Sequence, residues 1–451
     1  MASDLLSIGK SGAMAARAAL DVTAQNITNA STDGYIRRSV IQAEVSSAGG
    51  TGRAADISLS GVRIERLVRN ADMFRQAEVR RTGSDSARAN AEVSGLENIE
   101  DALEQSGVYN AVVGFESSLQ QLASDATDPA LRASVVESAR TMTRTMNIAA
   151  QSLDQAGQGL QFEATDGVNQ INILSAELAR VNLRLTRAAD ASSDQTTLLD
   201  QRDHLLEEMS KYVDVATTFN ADDTVSVKVG GVDLVSNGTA KTFSMDVSAT
   251  DGTISFKIDG AAVTPTSGGL VGKQQALDKL KEVRTGLDTI ASTLAAKVND
   301  IQDDGEDLNG DQGTAMFTYS SGTAITAANI KLAFEDGAKI ATAPLTPLIS
   351  NAGSRDQSNL AALMSGISSV DPAGKTDKLI FTISSAVQGR KVTRDALDAI
   401  ASTAKITLQA QAGVSLDNEA ANLVRYQQAF QASGRVMQVA SEIFDSILGI
   451  K

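Results

Sequence analysis

The 451-residue chain contains no cysteine and no tryptophan, a single histidine, and only 4% aromatic residues. The lack of cysteine excludes disulfides, thiol catalysis and thiolate metal sites. The few aromatic residues, beside abundant small and polar ones, argue against a large globular core. They favour thin helical packing, in which small side chains let helices approach closely.

Basic residues are also in the minority, with 40 Lys and Arg against 55 Asp and Glu and a formal net charge of -15. Because such a surface repels phosphate backbones, no nucleic-acid partner is expected. No stretch is long enough to span a bilayer, so membrane insertion is not expected either. The N-terminus carries an early acid, Asp4, and no continuous apolar core, which is not the pattern of a cleavable secretory signal.

His204 is the only imidazole that could serve catalysis or zinc binding. It follows Asp203 in an acidic helical segment, and no serine or cysteine nucleophile motif accompanies it. We therefore interpret His204 as a surface or capping residue. No catalytic residue is expected, and the chain is predicted not to be an enzyme.

A second candidate for chemistry is the loop with Asp307, Asn309 and Asp311, which has the alternating oxygen spacing of a calcium-binding loop. However, Thr318 stands where the bidentate glutamate belongs, and Gly310 comes two positions too early for the sharp turn. A polar loop closed by Asx turns is favoured. No metal and no cofactor is expected.

Both ends of the chain carry apolar or small residues at alternating steps of three and four, the pattern of a helix-pairing seam. Near the N-terminus the positions are Leu6, Gly9, Ala13, Ala16, Leu20, Thr23 and Ile27. Near the C-terminus they are Leu416, Ala420, Leu423, Gln427, Phe430, Gly434, Met437, Ser441, Phe444 and Leu448, beside a second stripe of Val436, Ala440, Ile443 and Ile447. Such a helix must pair with the other terminus, with neighbouring subunits, or with both.

The run "NITNASTDGY", Asn26 to Tyr35, ends the first of these helices. Its two consecutive Asn-x-Ser/Thr triplets are interpreted as chance matches, because no secretory signal precedes them. Asn29 is predicted to take the left-handed conformation that ends a helix, and residues 31–33 to cap free backbone groups. Gly34 completes a turn signal, and Tyr35 fixes the direction in which the chain leaves.

Between the ends, hydrophobic periodicity alternates between helical and extended. "DTVSVKVGGVDLVS" and "KTFSMDVSATDGTISFKIDG" predict two β-hairpins, with Phe243 and Phe256 in their core. The predicted fold is mainly α with an inserted β domain, long terminal coiled-coil helices and a discontinuous helical body. The predicted parts are terminal assembly helices at 1–35 and 413–451; a helical body with extended segments at 36–213, 268–313 and 351–412; the β domain at 214–267; and a mixed extended segment at 314–350.

On residues alone, assembly is favoured over a surface-binding β module or a secreted helical effector. Two terminal stretches then narrow the choice: "ALDVTAQNITNASTDGYIRR" and "AANLVRYQQAFQASGRVMQVASEIFDSILGI" resemble the end signatures of bacterial flagellar axial proteins of rod, hook and hook-associated type. The interior motifs "DPALRASVVESARTMTRTMN", "TTLLDQRDHLLEEMSKYVDV" and "EDLNG", in this order, look like the flagellar hook-associated protein 1 family.

The resemblance implies a structural protein that forms a junction ring between hook and filament through paired terminal helices around a channel. Its implied partners are further copies of itself, hook protein on the proximal side, a second junction protein and flagellin on the distal side, and a cytosolic export chaperone at the C-terminal helix. The implied location is the extracellular flagellum, reached by type III export without a cleaved signal peptide. Another axial protein, or a secreted effector, is the alternative.

Positions of the assembly interface are expected from the seams and from the matching signatures. In the N-terminal part they are Leu6, Ala13, Leu20, Asn26, Ile27, Asn29, Thr32, Gly34 and Tyr35. In the C-terminal part they are Leu416, Leu423, Tyr426, Gln427, Phe430, Gln431, Met437, Phe444 and Leu448.

Overall fold

A computed structural model describes residues 2–32, 34–47, 58–188, 192–345 and 351–448. Helices in these ranges are α1 (Ala2–Thr28), α2 (Met73–Glu104), α3 (Val108–Leu122), α4 (Pro129–Leu185), α5 (Ser193–Tyr212), α6 (Gly269–Asp303), α7 (Ser358–Val370), α8 (Pro372–Ala412) and α9 (Leu416–Leu448). Within the same ranges, no helix is both long and apolar enough to cross a membrane.

The strands are short outside one N-terminal hairpin. They are β1 (Arg38–Ser47), β2 (Ser58–Arg69), β3 (Ala216–Phe219), β4 (Val225–Val229), β5 (Val232–Ser236), β6 (Thr239–Ala240), β7 (Phe243–Val247), β8 (Ile254–Ile258), β9 (Ala261–Val263), β10 (Gly305–Glu306), β11 (Phe317–Tyr319), β12 (Ile330–Leu332) and β13 (Ala343–Pro344). The predicted fold class, mainly helical with an inserted β domain and long terminal helices, is confirmed.

The two ends of the chain meet as an antiparallel pair, α1 against α9. β1 and β2 form an antiparallel hairpin that also packs on α1. Residues 48–57, which join these two strands, lie outside the described residues. Near the start of β2, the Ser11 hydroxyl accepts the Val62 backbone N–H at 3.3 Å. The glycine beside it, Gly61, has φ +98°, and a Cβ there would lie 2.1 Å from Ser11 Oγ.

The helical body is built from α2, α4, α6 and α8, with α3 and α7 packed beside them. Its core is continuous from α2 and α3 through the first half of α4 to α6, α7 and α8. Phe115 of α3 meets Phe317 of β11 edge to face, with ring centroids 5.9 Å apart. The segment around β11 and β12 is thereby part of this core.

The inserted strands form a four-stranded sheet, β3-β4-β5-β6, and a three-stranded sheet, β7-β8-β9. Both share a second core with the C-terminal half of α4 and with α5. Phe243 and Phe256 stack there at 5.6 Å, so the interpretation of these rings as core is confirmed. Asn172 and Asn182 of α4 attach the sheets, because each side-chain amide donates to and accepts from one strand residue, Phe243 or Val225.

Arg132 is fully buried and holds an irregular segment against the start of α4. Its guanidinium donates to the carbonyl oxygens of Ala126, Gly337 and Ile340 at 2.6 to 3.0 Å, and to Thr342 Oγ1 at 2.7 Å. The helix itself begins with Pro at its first position, and the preceding Asp128 caps two backbone N–H groups.

The loop considered for calcium folds around one of its own carboxylates. Asp307 Oδ1 accepts the backbone N–H groups of Asn309 at 2.8 Å and Asp311 at 3.0 Å, which is the Asx-turn geometry that the sequence favoured. One of the aspartate oxygens that a cation would need is therefore occupied by the loop's own backbone.

Replacing Arg132 by Met should destabilise the chain by about 3 kcal/mol or more, because several buried carbonyl oxygens lose their donor at once. Urea unfolding followed by circular dichroism measures this. Arg144→Met, at an exposed site on the same helix, is the control and should stay within about 0.5 kcal/mol of the parent. Equal stabilities for the two variants would contradict the role assigned to Arg132.

Candidate assembly interface

Small residues let α1 and α9 approach closely. A Cβ at Gly9 would lie 2.6 Å from Met437 Cγ, and one at Gly12 would lie 2.8 Å from Ser433 Oγ. Any larger side chain at these two positions would push the helices apart. This is the close approach that the small-residue composition predicted.

The N-terminal positions predicted for the interface differ in how deeply they are buried. Asn26 and Ala13 are buried, Leu20, Ile27, Asn29, Gly34 and Tyr35 are half-buried, and Leu6 and Thr32 are exposed. A second row, Ala15, Ala19, Val22 and Asn26, is also buried. The helix thus packs through two adjacent faces, because the β1–β2 hairpin covers α1 as well as α9.

The packed face of α9 is rotated from the predicted seam. Glu419 and Ala440 are buried, and Leu423, Tyr426, Ser433 and Met437 are half-buried between them. Leu416, Gln427, Phe430, Gln431 and Phe444 are exposed, and the side chain of Leu448 lies outside the described residues. The sequence pattern marked the most apolar positions, and many of these point away from α1.

The exposed side of α9 carries apolar residues among polar ones. Val424, Val436, Val439 and Ile443 are each about two-fifths to one-half exposed and lie within one third of the helix circumference. We call these four residues the α9 row. Three of them, Val436, Val439 and Ile443, lie on adjacent turns, and exposed apolar side chains grouped in this way mark a candidate contact with another molecule.

The turn after α1 differs from its prediction. Asn29 keeps a negative φ; the left-handed residue is Gly34, with φ +75°. The Asn29 amide instead donates to the Gln25 carbonyl at 2.9 Å, and Thr32 accepts Tyr35 N–H through its carbonyl at 3.2 Å. The Asn29 backbone N–H also donates to the Gln25 carbonyl, at 3.0 Å, so the helical hydrogen bonding continues to this residue. Only the glycine has to adopt positive φ. Asp33 lies outside the described residues.

Asn26 is the centre of the junction between the two termini. Its Oδ1 accepts Arg38 N–H at 3.0 Å and Tyr35 O–H at 2.9 Å. Its Nδ2 donates to the Arg38 carbonyl at 2.8 Å and to Glu419 Oε2 at 3.2 Å. The other oxygen of Glu419 accepts from Arg37 Nε at 2.7 Å. One carboxamide therefore joins α1, the first strand and α9.

A cluster of charges continues from this point into the helical body. Arg38 and Arg69 share the Asp200 carboxylate at 2.7 and 2.8 Å. Arg69 also reaches Asp203 at 2.7 Å, and Arg202 binds the other oxygen of Asp203 at 2.7 Å. We call these five residues the junction cluster. All five side chains are largely buried, so the hairpin is attached to α5 by paired charges that exclude water.

Burial and ion pairing shift the pKa values of the acidic residues at this junction in opposite directions. Burial raises the pKa of Asp200, and Arg69 and Arg38 oppose it without cancelling it. Burial also disfavours ionisation of Asp203, but Arg202 and Arg69 together outweigh it and hold the pKa of Asp203 below its ordinary value. Burial raises the pKa of Tyr35 as well. The Tyr35 phenol therefore stays protonated and donates to Asn26.

His204 lies directly under the turn. A Cβ at Gly34 would come within 3.4 Å of His204 Nδ1. A cavity of about 370 Å³ opens beside it, between the turn, α5 and the end of α8, and Gln76, Lys405 and Ala412 line its other walls. The histidine is half-buried and lines this cavity between the termini and the body, and its interpretation as a surface or capping residue stays a prediction.

Sequence reasoning did not select Glu419 or the junction cluster. Arg38 belongs to the matching N-terminal signature, but no spacing in the sequence points to Asp200, which lies 162 residues further along the chain. Periodicity finds residues that share one helix face, and it cannot find pairs that only the folded topology brings together.

Replacing Asn26 by Asp should loosen the terminal pair, because the new carboxylate cannot donate and would face both Glu419 and the Arg38 carbonyl. The expected cost is on the order of 2 kcal/mol, measured by urea unfolding, with faster hydrogen exchange in α9. Gln25→Glu makes the same amide-to-acid change at an exposed neighbour and should leave both measurements unchanged. Unaltered exchange in α9 of the Asn26 variant would contradict the assignment.

Three family models match the chain in order along its length. They are the flagella basal body rod protein at residues 6–35, the flagellar hook-associated protein FlgK helical domain at 93–317, and the flagellar basal body rod FlgEFG protein C-terminal region at 409–450. The end models carry rod-protein names, whereas the long interior model is that of a hook-associated protein.

Comparison with individual proteins agrees with the interior model. The chain is 25% identical to flagellar hook-associated protein 1 of Salmonella typhimurium and 24% identical to that of Escherichia coli, each across 100% of both chains. It is 24% identical to the Bacillus subtilis protein across 96% of this chain and 95% of that one. The solved structure of the flagellar hook junction protein FlgK from Burkholderia pseudomallei has the same fold, with a TM-score of 0.63, 15% identity, and 74% of this chain and 99% of that chain covered. The chain belongs to the flagellar hook-associated protein 1 family.

Proposed function

We propose that this protein is a structural component of the bacterial flagellum that forms the junction between hook and filament, and that it acts by assembly rather than by catalysis. The observation that carries the proposal is the antiparallel pair of α1 and α9, which leaves apolar surface of α9 uncovered. Full-length similarity to flagellar hook-associated protein 1 sequences supports the same role.

The terminal pair needs further copies to complete its packing. α1 covers one face of α9, and the α9 row points elsewhere. A two-helix unit buries too little apolar area to be stable by itself. Neighbouring terminal pairs, packed around a central channel, would cover the α9 row and close a ring of copies.

The remaining partners follow from the position of such a ring. Its proximal face would bind hook protein, and its distal face would bind the second junction protein and then flagellin. Before assembly, the α9 row is the natural contact for a cytosolic export chaperone, because an uncovered apolar helix face promotes aggregation. Passage through the flagellar export channel as an unfolded chain is compatible with the absence of cysteine.

The division into parts is also a proposal. We assign residues 1–35 and 413–451 to the terminal unit and add the β1–β2 hairpin, because it packs on α1. Residues 214–267 are assigned to the inserted β domain. The segment from 314 to 345 is assigned to the helical body, whose core contains Phe317.

A second candidate is another axial protein of the rod or hook, since the end models match rod proteins. The location of the protein in the flagellum distinguishes a junction protein from a rod or hook protein. A junction protein is expected at the tip of the hook, whereas a rod protein would remain within the basal body after the hook is removed.

Deleting the gene should give cells with bare hooks and flagellin lost to the medium, seen by electron microscopy and by blotting of the medium. The intact gene should restore filaments, and a gene lacking residues 414–451 should not, because α9 is then missing. Normal filaments on the deletion strain, with no second copy of the gene present, would refute the junction role.

Val424→Asp combined with Val439→Asp should abolish filament assembly while leaving the thermal melting of the monomer unchanged, because both side chains are about half exposed. Gln120→Asp combined with Gln121→Asp adds the same charge at exposed positions of α3 and is the control. Motility and electron microscopy provide the readout. Wild-type filaments with the α9 variant would show that the α9 row is not an assembly contact.

A further inference from the structure

Helix α8 packs an apolar stripe, including Ile383 and Val387, into the core of the helical body. Several of its charged residues pair with α2: Arg390 binds Glu92 at 2.8 Å, and Lys391 binds Glu97 at 2.9 Å. Asp398 accepts the Asn90 amide at 2.9 Å. A surface helix normally buries an apolar stripe and presents its charges to water.

One strip along the solvent side of α8 carries no charge. Nine positions at steps of three or four are all exposed and all uncharged: Phe381, Ser385, Gln388, Val392, Ala396, Ala399, Thr403, Ile406 and Ala410. We call them the α8 row. Phe381 is 68% exposed and Val392 is 72% exposed. Depletion of charge together with exposed apolar side chains is the compositional mark of an interface core.

A shorter row of the same kind lies on α4. Ile148, Gln151, Gln155, Gly159 and Phe162 share one face, and all are exposed and uncharged. Phe162 is 76% exposed. We call these five residues the α4 row. Helix α6 separates the two helices: Arg284 of α6 binds Asp154 of α4, whereas a Cβ at Gly286, about 200° further around α6, would lie 2.9 Å from Leu379 of α8. Helices α4 and α8 therefore pack on different sides of α6.

We infer that the α8 row of one copy packs against the α4 row of the next copy around the ring. A closed ring of identical chains requires two different faces on each subunit, one for each neighbour, and the two rows supply such a pair. The α8 row also leads along the chain into the proposed assembly surface, since Ala410 stands only six residues before Leu416 of α9. This inference rests on the proposed function, because it names the lateral contact of the same ring.

The size of the rows indicates how the contact is used. The α8 row spans 29 residue steps, about 44 Å of helix, and a strip about 10 Å wide along it covers about 440 Å². The α4 row is shorter. A stable two-protein interface needs about 800 Å² on each partner. This contact is therefore too small to hold free subunits together, and it acts only after the terminal helices have docked.

Cysteine cross-linking tests the contact cleanly, because the chain has no native cysteine. A variant with both Val392→Cys and Gln155→Cys, treated with a flexible bis-maleimide in isolated flagella, should give a ladder of dimers, trimers and larger multimers. Val392→Cys combined with Gln121→Cys on α3 is the matched control and should give no ladder.

Each other outcome has a distinct meaning. Absence of a ladder, when the double variant is present in the flagella, would overturn the α8–α4 contact. Cross-linked dimers from Val392→Cys alone would also overturn it, because like faces would then pair. If the parent chain is missing from isolated flagella, the proposed function fails instead.

A charge-insertion variant provides a second measurement. Val392→Glu combined with Ala399→Glu should lower the amount of protein bound per isolated hook by about tenfold or more, because unpaired carboxylates would be buried in the contact. The melting temperature of the monomer should not change, since both sites are exposed. Gln120→Glu combined with Gln121→Glu is the control. Normal incorporation of the α8 variant would contradict the inference.

Discussion

The junction between the two termini and the helical body depends on polar groups that become buried together when the chain folds. The Asn26 carboxamide uses both donor and acceptor atoms on three different segments. Buried polar and charged groups are costly unless every partner is in place, so this joint exists in one geometry or is lost. The direction in which the α1–α9 pair leaves the body therefore depends on this network. An assembly protein needs that direction fixed, because its neighbours must meet the same surfaces in every copy.

The helix pair itself is held in a different way. Glycine, alanine and serine bring α1 and α9 close, and the contact buries small side chains rather than large ones. Such packing fixes the distance between the two helix axes, but it contributes only a modest free energy to their association. The chain thus combines a specific polar joint with a weak apolar pair, and the weak pair leaves surface for other copies to cover.

Helix α8 gives the helical body a related property, because its outer face carries a row of uncharged residues. Its salt bridges with α2 hold the helix in place, so that its uncharged face can remain exposed in the monomer. Small polar residues such as Ser385 and Thr403 between the apolar ones keep that face soluble. Interfaces that form only inside an assembly need this balance, because a more apolar face would aggregate before the subunit reached its place.

Local periodicity accounts for the parts that could be predicted from the sequence. The terminal helices, the start of α4 at Pro129 and the two hairpins of the β domain follow from repeats of 3.5 and 2 residues and from turn residues. These signals depend only on neighbouring residues, and the structure agrees with them. The prediction for Asn29 was wrong because its backbone N–H continues the helical hydrogen bonding to Gln25, and the left-handed residue comes later, at Gly34.

The sequence by itself determined that both ends are helices with small, pairable faces, since that information lies in the spacing of residues along one helix. Only the tertiary structure decided that Glu419 belongs to the packed face of α9, where its carboxylate meets an amide 393 positions earlier. It also decided that Arg390 and Lys391 of α8 pair with Glu92 and Glu97 of α2. Both results depend on which helices the topology brings together, and the free energy of a buried polar pair is set by a partner that no local pattern contains.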